Sequence, residues 1–91
     1  MRSEKITVTN ETGLHARPAS LFVQLTAQFK SELTIRKDDR SVNAKSILGI
    51  LSLGISKGTE VTLIAEGPDE EQAVDELVKL IQGNFGEGNS N

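Results

Sequence analysis

The sequence predicts an α+β domain in which a small antiparallel sheet is covered by helices on one face. Several short segments alternate apolar and polar residues, which is the period of a half-buried strand. Between them lie segments whose apolar residues recur at helical spacing. Because the strands are few and mostly have one apolar face, the economical arrangement is an antiparallel sheet with all helices on one side. The 91 residues suffice for one such domain with a single modest core.

The first part of the chain predicts a strand, a loop and a helix. Apolar residues alternate with threonines at about residues 4–9, which indicates a strand, and residues 10–13 are typical of a loop. Apolar residues then recur at helical spacing over residues 16–29, which predicts an amphipathic helix. Pro18 fits the first turn of this helix, because the first amide groups of a helix have no partner within it.

The middle of the chain predicts a hairpin and a short helix. Residues 32–36 alternate, the KDDR sequence at 37–40 is a candidate turn, and a short strand follows at 41–43. Ser46 then precedes the apolar segment 47–51, where a serine is a preferred N-cap. This segment has too many apolar residues for one buried stripe, so some of them are expected to be exposed.

The last part of the chain predicts a fourth strand at residues 60–66 and a helix that ends at Gly83. Asp69 followed by Gln72 resembles a capping box at the start of that helix. We place the domain at residues 1–84 and expect a flexible tail at residues 85–91, which is rich in glycine and asparagine. Phe85 is the residue of the tail that we expect to dock. The uncovered face of the sheet is left to Thr7, Thr9, Thr34, Arg36 and Thr62.

Composition argues against several classes of function. The formal charge is -3 and three phenylalanines are the only aromatic residues, so direct binding to nucleic acid is not expected. The sequence contains no run of 18 apolar residues, so we expect no membrane insertion. It contains no cysteine and begins without an apolar signal segment, from which we expect a cytoplasmic protein. Its size and charge favour a monomer.

The stretch GLHARPAS contains the single histidine of the chain, His15, close to Arg17 and Pro18. If a helix begins just after His15, free amide groups, the positive end of the helix dipole and the Arg17 guanidinium lie beside the imidazole. Positive surroundings disfavour the imidazolium form and stabilise a phosphoryl dianion, so the residues predict a site that accepts phosphate. The alternative is that His15 is a helix cap or a solvated surface residue.

Other chemistries fit the sequence less well. One histidine and no cysteine leave a metal site short of ligands, and no glycine-rich nucleotide motif is present, so we expect neither a metal nor a cofactor. A serine hydrolase would need His15 as its base, and nothing identifies its serine. Ser46 is a site where phosphate would meet free helix amides, although its preference as an N-cap also explains it. The apolar residues after Ser46 could form a docking patch or a core covered by the tail.

GLHARPAS and the VNAKSILGILSLGISKG stretch at 42–58, together with the order of the elements, resemble the HPr family. These are the histidine-containing phosphocarrier proteins of the phosphoenolpyruvate-dependent sugar phosphotransferase system. The resemblance covers about residues 4–82 and implies an open-faced sandwich with strand order 1-4-2-3 and the element order βαββαβα. Leu48 and Leu51 depart from many Gram-positive relatives, which have methionine there.

The resemblance also implies roles for individual residues. His15 would take phosphate on Nδ1 from phosphorylated enzyme I and pass it to enzyme IIA components, and Arg17 would contact the phosphoryl group. Ser46 would be phosphorylated by an HPr kinase/phosphorylase in carbon catabolite control, and that form would act with a catabolite control transcription regulator. The expected docking surface comprises Ser20, Gln24, Ile47, Leu48 and Leu51.

Three functions are left for comparison with the structure. The first is a phosphocarrier that has no turnover of its own, because partner enzymes drive the formation and discharge of the phosphohistidine. A related regulatory paralogue lacks the active histidine, so the presence of His15 favours the carrier. The second function is a regulatory binding module that acts through Ser46 and its apolar patch, and the third is an anion-binding domain without chemistry.

Overall fold

A four-stranded antiparallel sheet with strand order β1-β4-β2-β3 forms one layer of the protein, as a computed structural model describes it for residues 1–87. Three α-helices form the other layer, and a single 3-10 turn follows the last helix. The elements are β1 (Arg2–Thr7), α1 (Ala16–Thr26), β2 (Glu32–Lys37), β3 (Arg40–Asn43), α2 (Ile47–Ser52), β4 (Glu60–Glu66), α3 (Glu70–Gln82) and the turn Asn84–Gly86. The predicted fold class, element order and strand order are confirmed.

The strand register places one apolar face of the sheet against the helices. β4 pairs with both β1 and β2, so that Ile6 lies opposite Val61 and Ile35 lies opposite Leu63. The side chains of a strand alternate between the two faces, and the buried set therefore lies on one side. The buried strand residues are Leu33, Ile35, Val61, Leu63 and Ala65.

Among residues 1–87, no helix lies on the other face of the sheet, which is largely polar. Thr7 and Arg36 are exposed there, and Thr34 and Thr62 are half-buried, as the alternation predicts. Thr9 is also exposed but lies beyond the last residue of β1. The fully buried side chains of the sheet are therefore those on the face that packs against the helices.

The helices bury the apolar stripes that their spacing predicts. α1 buries Pro18, Ala19, Phe22 and Thr26, and α3 buries Ala73, Val74, Leu77 and Ile81. α2 has only six residues and buries Ile50 alone. A helix of this length cannot turn all of its apolar residues inward, which leaves part of α2 exposed.

Two elements differ from their predicted bounds by at least two residues at one end. β1 lies at Arg2–Thr7 rather than at 4–9, although Val8 still exchanges backbone hydrogen bonds with Gly58 and Thr59. α1 ends at Thr26 rather than at Phe29. After Thr26 the hydrogen bonding changes to the pattern of a 3-10 turn, because the amide of Phe29 donates to the carbonyl of Thr26, three residues earlier.

The predicted capping box of α3 is wrong. Asp69 is the N-cap residue, but its side chain makes no hydrogen bond to its own helix. Its carboxylate instead accepts hydrogen bonds from the amides of Lys30 and Ser31, at 2.9 and 3.0 Å, and from the Ser31 hydroxyl. Asp69 therefore ties the start of α3 to the loop between α1 and β2.

The tail contributes to the core at one residue, as expected. Phe85 is only 1% exposed and belongs to the core cluster. The packed part of the chain reaches Glu87, whose side chain accepts hydrogen bonds from Asn10 and Thr12. The domain thus extends beyond the boundary that we expected at residue 84. The remainder of the predicted flexible tail, residues 88–91, lies outside the described residues.

Over residues 1–87, none of the helices is both long enough and apolar enough to cross a membrane.

Candidate functional site

The loop before α1 has a close backbone contact that requires glycine. Gly13 has φ of +65°, and a Cβ atom built on it would lie 2.4 Å from the carbonyl oxygen of Ile55. A side chain would therefore meet both an unfavourable backbone conformation and a direct clash with backbone. Gly13 lets the loop lie directly against the segment at Ile55 and Ser56.

Leu14 anchors the next position. Its side chain is 1% exposed within the core, and its amide donates to the carbonyl of Ile55 at 3.0 Å. Both the side chain and the backbone of the residue before His15 are thus fixed. This anchoring limits where the following residue can be placed.

His15 is the N-cap of α1, which confirms that the helix begins just after it. Its backbone is extended, with φ of -116° and ψ of 161°, and its carbonyl accepts the first helical hydrogen bond from the amide of Ala19 at 3.3 Å. The imidazole makes no capping hydrogen bond, and the residue is exposed. The backbone of His15 begins the helix while its side chain stays accessible to another molecule.

The first turn of α1 contains a strained residue and a proline. Ala16 has φ of +38°, a region that residues other than glycine rarely occupy. Such strain is found mostly where surrounding structure enforces it, often at functional sites. Pro18 lies in the first turn, as predicted, and is buried.

Arg17 and the amides of the first turn of α1 follow His15 directly in the chain. Arg17 is exposed and lies two residues after the histidine, in the first turn. The amides of Ala16 and Arg17 belong to the first turn, where backbone donors have no partner within the helix. These groups can donate hydrogen bonds to an anion that arrives at the start of α1. The arrangement suits a negatively charged group bound to or near the imidazole.

Ser46 is the N-cap of α2, as predicted. Its backbone is extended, and its Oγ accepts a hydrogen bond from the amide of Gly49 at 3.1 Å. The side chain is half-buried. Its structural role is therefore established, and phosphorylation at Oγ stays a prediction.

The expected docking surface lies on α1 and α2, which contact each other. On α1, the amide of Gln24 donates to the hydroxyl of Ser20 at 3.0 Å, and Gln24 is exposed. On α2, Leu48 is 77% exposed, and Ile47 and Leu51 are 39% and 40% exposed. Within residues 1–87, these three apolar side chains of α2 are therefore exposed.

Residues 10–14 form the loop before His15, which we name the histidine loop. Sequence reasoning did not identify the residues whose hydrogen bonds stabilise it. Asn10 is 2% exposed, and its side-chain amide donates to the carbonyl of Gly13 at 3.0 Å. Glu87 accepts hydrogen bonds from Thr12 and Asn10. The asparagine and glycine in the loop were a usable signal for a constrained turn, but no local signal pairs Glu87 with that turn.

Glu87 is the residue near this loop whose titration is perturbed. The pKa of its carboxyl lies below the ordinary value, chiefly because the Thr12 hydroxyl donates to it. Partial burial of the carboxyl opposes this lowering of the pKa, and the hydrogen bond from the Asn10 amide adds to it.

Within residues 1–87, no group of three histidine, cysteine or acidic side chains is placed to hold a metal ion.

Comparison with known proteins identifies the family. The family model for PTS-HPr, described as the PTS HPr component phosphorylation site, matches residues 2–83. This chain belongs to the HPr family of phosphocarrier proteins. The resemblance inferred from GLHARPAS and the Ser46 segment is thereby confirmed.

Individual relatives include proteins named as phosphocarriers and a protein named as HPr-like. The chain is 46% identical over 88 residues to the phosphocarrier protein HPr of Neisseria meningitidis serogroup A, which covers 97% of this chain and 99% of that protein. It is 51% identical over 82 residues to the HPr-like protein Crh of Bacillus subtilis, which covers 90% of this chain and 96% of Crh. Sequence similarity alone therefore relates the chain to both kinds of protein.

Solved structures agree with the fold. The crystal structure of HPr from Thermoanaerobacter tengcongensis superposes with a TM-score of 0.95 at 55% identity, and the match covers 97% of this chain and 99% of that one. A crystal structure described as an HPr dimer from the same organism has a TM-score of 0.78, again at 55% identity, with 96% and 100% covered. These comparisons do not support our expectation of a monomer.

Proposed function

We propose that this chain carries phosphoryl groups on His15, which it accepts from phosphorylated enzyme I and passes to enzyme IIA components. The observation that supports this most is the position of His15 at the start of α1. Its imidazole is exposed and makes no capping hydrogen bond, while its backbone is fixed by the helix and by Leu14. A reactive side chain on a fixed backbone suits repeated transfer to different partners.

The proposed transfer is a displacement at phosphorus. With its proton on Nε2, a neutral imidazole has a lone pair on Nδ1, which attacks the phosphorus atom. A bond forms between Nδ1 and phosphorus as the bond from phosphorus to the donor atom of enzyme I breaks, and that electron pair stays on the donor. The reverse displacement by an acceptor atom of enzyme IIA regenerates His15.

Positive groups around His15 favour the phosphorylated state. The phosphoryl group brings a charge of roughly -2, and the Arg17 guanidinium and the free amides of the first turn can pair with its oxygens. The overall charge of the chain is -3, so this local positive field matters for binding an anion. Arg17 therefore stabilises the phosphoryl group and is not itself modified.

The same proposal assigns regulation to Ser46 and partner binding to the docking surface. Phosphorylation by an HPr kinase/phosphorylase would place a dianion beside the exposed apolar residues of α2. Enzyme I and the enzyme IIA components would then meet a surface of changed charge, which weakens binding if their own surfaces are acidic. The Ser46-phosphorylated form would act with the catabolite control transcription regulator.

The test is to incubate the protein with active enzyme I and phosphoenolpyruvate and to measure its intact mass. We expect one added phosphoryl group that is lost in acid and retained in alkali, as a phosphohistidine is. His15→Ala should take up none, and because His15 is exposed and its side chain makes no capping bond, the variant should stay folded. No adduct on the wild-type protein would refute the carrier function.

A regulatory binding module is the second candidate. It is favoured by the similarity to Crh, together with a serine N-cap that lies next to exposed apolar side chains. In that case, His15→Ala should leave binding of the Ser46-phosphorylated protein to the transcription regulator unchanged, and His15 should take no phosphate from enzyme I. A binding titration of the wild-type protein and of His15→Ala, combined with the mass measurement, separates the two functions.

A further inference from the structure

The chain returns to the histidine loop after α3. The segment Gly83–Glu87, which we name the C-terminal strap, begins at the C-cap residue of α3 and includes the 3-10 turn. Asn84 and Phe85 both have φ of +55°, which is unusual for residues other than glycine. Burial of Phe85 to 1% exposure offsets this backbone cost and fixes the strap on the core.

Two side chains of the strap bind the segment that precedes His15. The Thr9 hydroxyl donates to the side-chain oxygen of Asn84 at 2.8 Å. Oε2 of Glu87 accepts from the Thr12 hydroxyl at 2.7 Å and from the side-chain amide of Asn10 at 3.1 Å. Hydrogen bonds that have an ionised acceptor are about twice as strong as neutral ones, so Glu87 provides the strongest of these contacts.

Asn10 transmits this contact toward the histidine. Its side-chain amide, which donates to Glu87, also donates to the carbonyl of Gly13 at 3.0 Å. On the other side of the loop, the amide of Leu14 donates to Ile55. The backbone immediately before His15 is therefore held from two sides, by the strap through Asn10 and by Ile55.

We infer that Glu87 is a positioning residue for phosphoryl transfer, which fixes the loop of residues 10–13 and through it the orientation of His15. The inference rests on the proposed carrier function. It also goes beyond the shared family pattern, because the family model ends at residue 83 and so does not include Glu87. Glu87 acts through Thr12 and Asn10, and the reacting atoms remain those of His15.

Two variants separate the hydrogen bonds of Glu87 from its other effects. Glu87→Ala removes the acceptor, whereas Glu87→Gln keeps an oxygen that Thr12 and Asn10 can bind. In assays with enzyme I, we expect Glu87→Ala to lower kcat for His15 phosphorylation by roughly three- to tenfold with little change in KM. We expect Glu87→Gln to restore the rate to within about twofold of wild type. A matched control is Glu76→Ala, which removes an α3 carboxylate whose ion pair is with Lys79 at 3.9 Å.

A second measurement does not depend on transfer. The hydrogen exchange rate of the Leu14 amide should rise in Glu87→Ala and stay near that of wild type in Glu87→Gln and Glu76→Ala. Faster exchange with an unchanged kcat would make Glu87 merely structural and overturn the inference, as would a Glu87→Ala protein identical to wild type in both measurements. A wild-type protein that takes up no phosphate would instead refute the carrier function, and the exchange rates would still show whether the strap holds the loop.

Discussion

The starts of α1 and α2 use the same backbone geometry for different purposes. His15 and Ser46 are both N-caps with extended backbones, at φ of -116° and -105°. Ser46 uses its side chain to bind the amide of Gly49, whereas the side chain of His15 makes no capping bond. At the start of α2 the side chain stabilises the helix, and at the start of α1 it is exposed and makes no bond to the helix.

The difference is explained by what holds each helix start. α1 is held from behind by Gly13, Leu14 and the C-terminal strap, so its cap residue does not have to stabilise it. α2 is held by its own cap and, at its other end, by two cations of the β2–β3 hairpin. The Lys37 ammonium donates to the carbonyl of Leu53, and the Arg40 guanidinium donates to that of Ser52. A substituent on the imidazole of His15 would therefore disturb no capping hydrogen bond, whereas a substituent on Oγ of Ser46 would lie on the atom that accepts from the amide of Gly49.

The largest expected effect is the loss of stability on removing the Leu14 side chain, which packs in the core next to His15. Leu14→Ala deletes a side chain that is 1% exposed, so we expect the free energy of unfolding to fall by about 2–5 kcal/mol. The control is Leu48→Ala, because Leu48 is 77% exposed and its loss should change stability by less than about 0.5 kcal/mol. Denaturant unfolding measures both. Equal stabilities for the two variants would show that Leu14 does not anchor the loop.

A charge at Ser46 should affect transfer at His15 more than it affects the fold. Ser46→Asp keeps an oxygen that can accept from Gly49, so the cap is retained while a negative charge is added. We expect phosphorylation of His15 by enzyme I to slow by about tenfold, through weaker docking. Ser46→Asn is the matched neutral cap and should react at close to the wild-type rate. An unchanged rate in Ser46→Asp would contradict regulation through this residue.

Sequence reasoning succeeded for several elements that depend on local patterns. Strict alternation predicted β4 at residues 60–66 with the observed bounds, and helical spacing predicted α3. The helix starts after His15 and Ser46 were also predicted, because His15 precedes an amphipathic segment and Ser46 precedes a short apolar one. The expected site residues therefore lie on the elements to which they were assigned.

Contacts between distant segments were not predictable in the same way. The residue type and position of Asp69 are those of a helix cap, but its carboxylate accepts from amides that lie 38 and 39 positions earlier in the chain. Glu87 binds residues 75 and 77 positions earlier. Periodicity and capping rules describe neighbours in sequence, so they contain no information about these pairs.

Removing the side chains of the two N-caps, Ser46 and His15, should lower the stability of the protein by different amounts. Ser46→Ala loses the hydrogen bond to Gly49 and should lower the free energy of unfolding by about 1 kcal/mol. His15→Ala loses no capping bond, so its stability should differ from that of wild type by less than about 0.5 kcal/mol. Thermal and denaturant unfolding of the pair provide the measurement. A larger loss in His15→Ala than in Ser46→Ala would reverse the comparison.

The start of α3 provides a third case, in which the cap side chain stabilises another segment and does so only when ionised. Hydrogen bonds from the Ser31 hydroxyl and from the amides of Lys30 and Ser31 lower the pKa of Asp69 from 3.8 to about 2. Since the folded-state pKa lies below the unfolded one, this contribution to stability is complete above pH 3.8 and is lost as the pH falls toward 2.

Asp69→Asn tests this pH dependence because the amide cannot ionise. The variant should be less stable than wild type at neutral pH, and the difference should shrink as the pH falls from about 4 to about 2, where the wild-type carboxylate becomes protonated. The matched control is Asp75→Asn, whose carboxylate lies on the exposed face of α3, 3.3 Å from Arg2. Exposed ion pairs contribute little, so this control should have a small effect at every pH. If Asp69→Asn and wild type differ by the same amount at pH 2 and pH 7, the carboxylate of Asp69 does not join the start of α3 to the loop before β2.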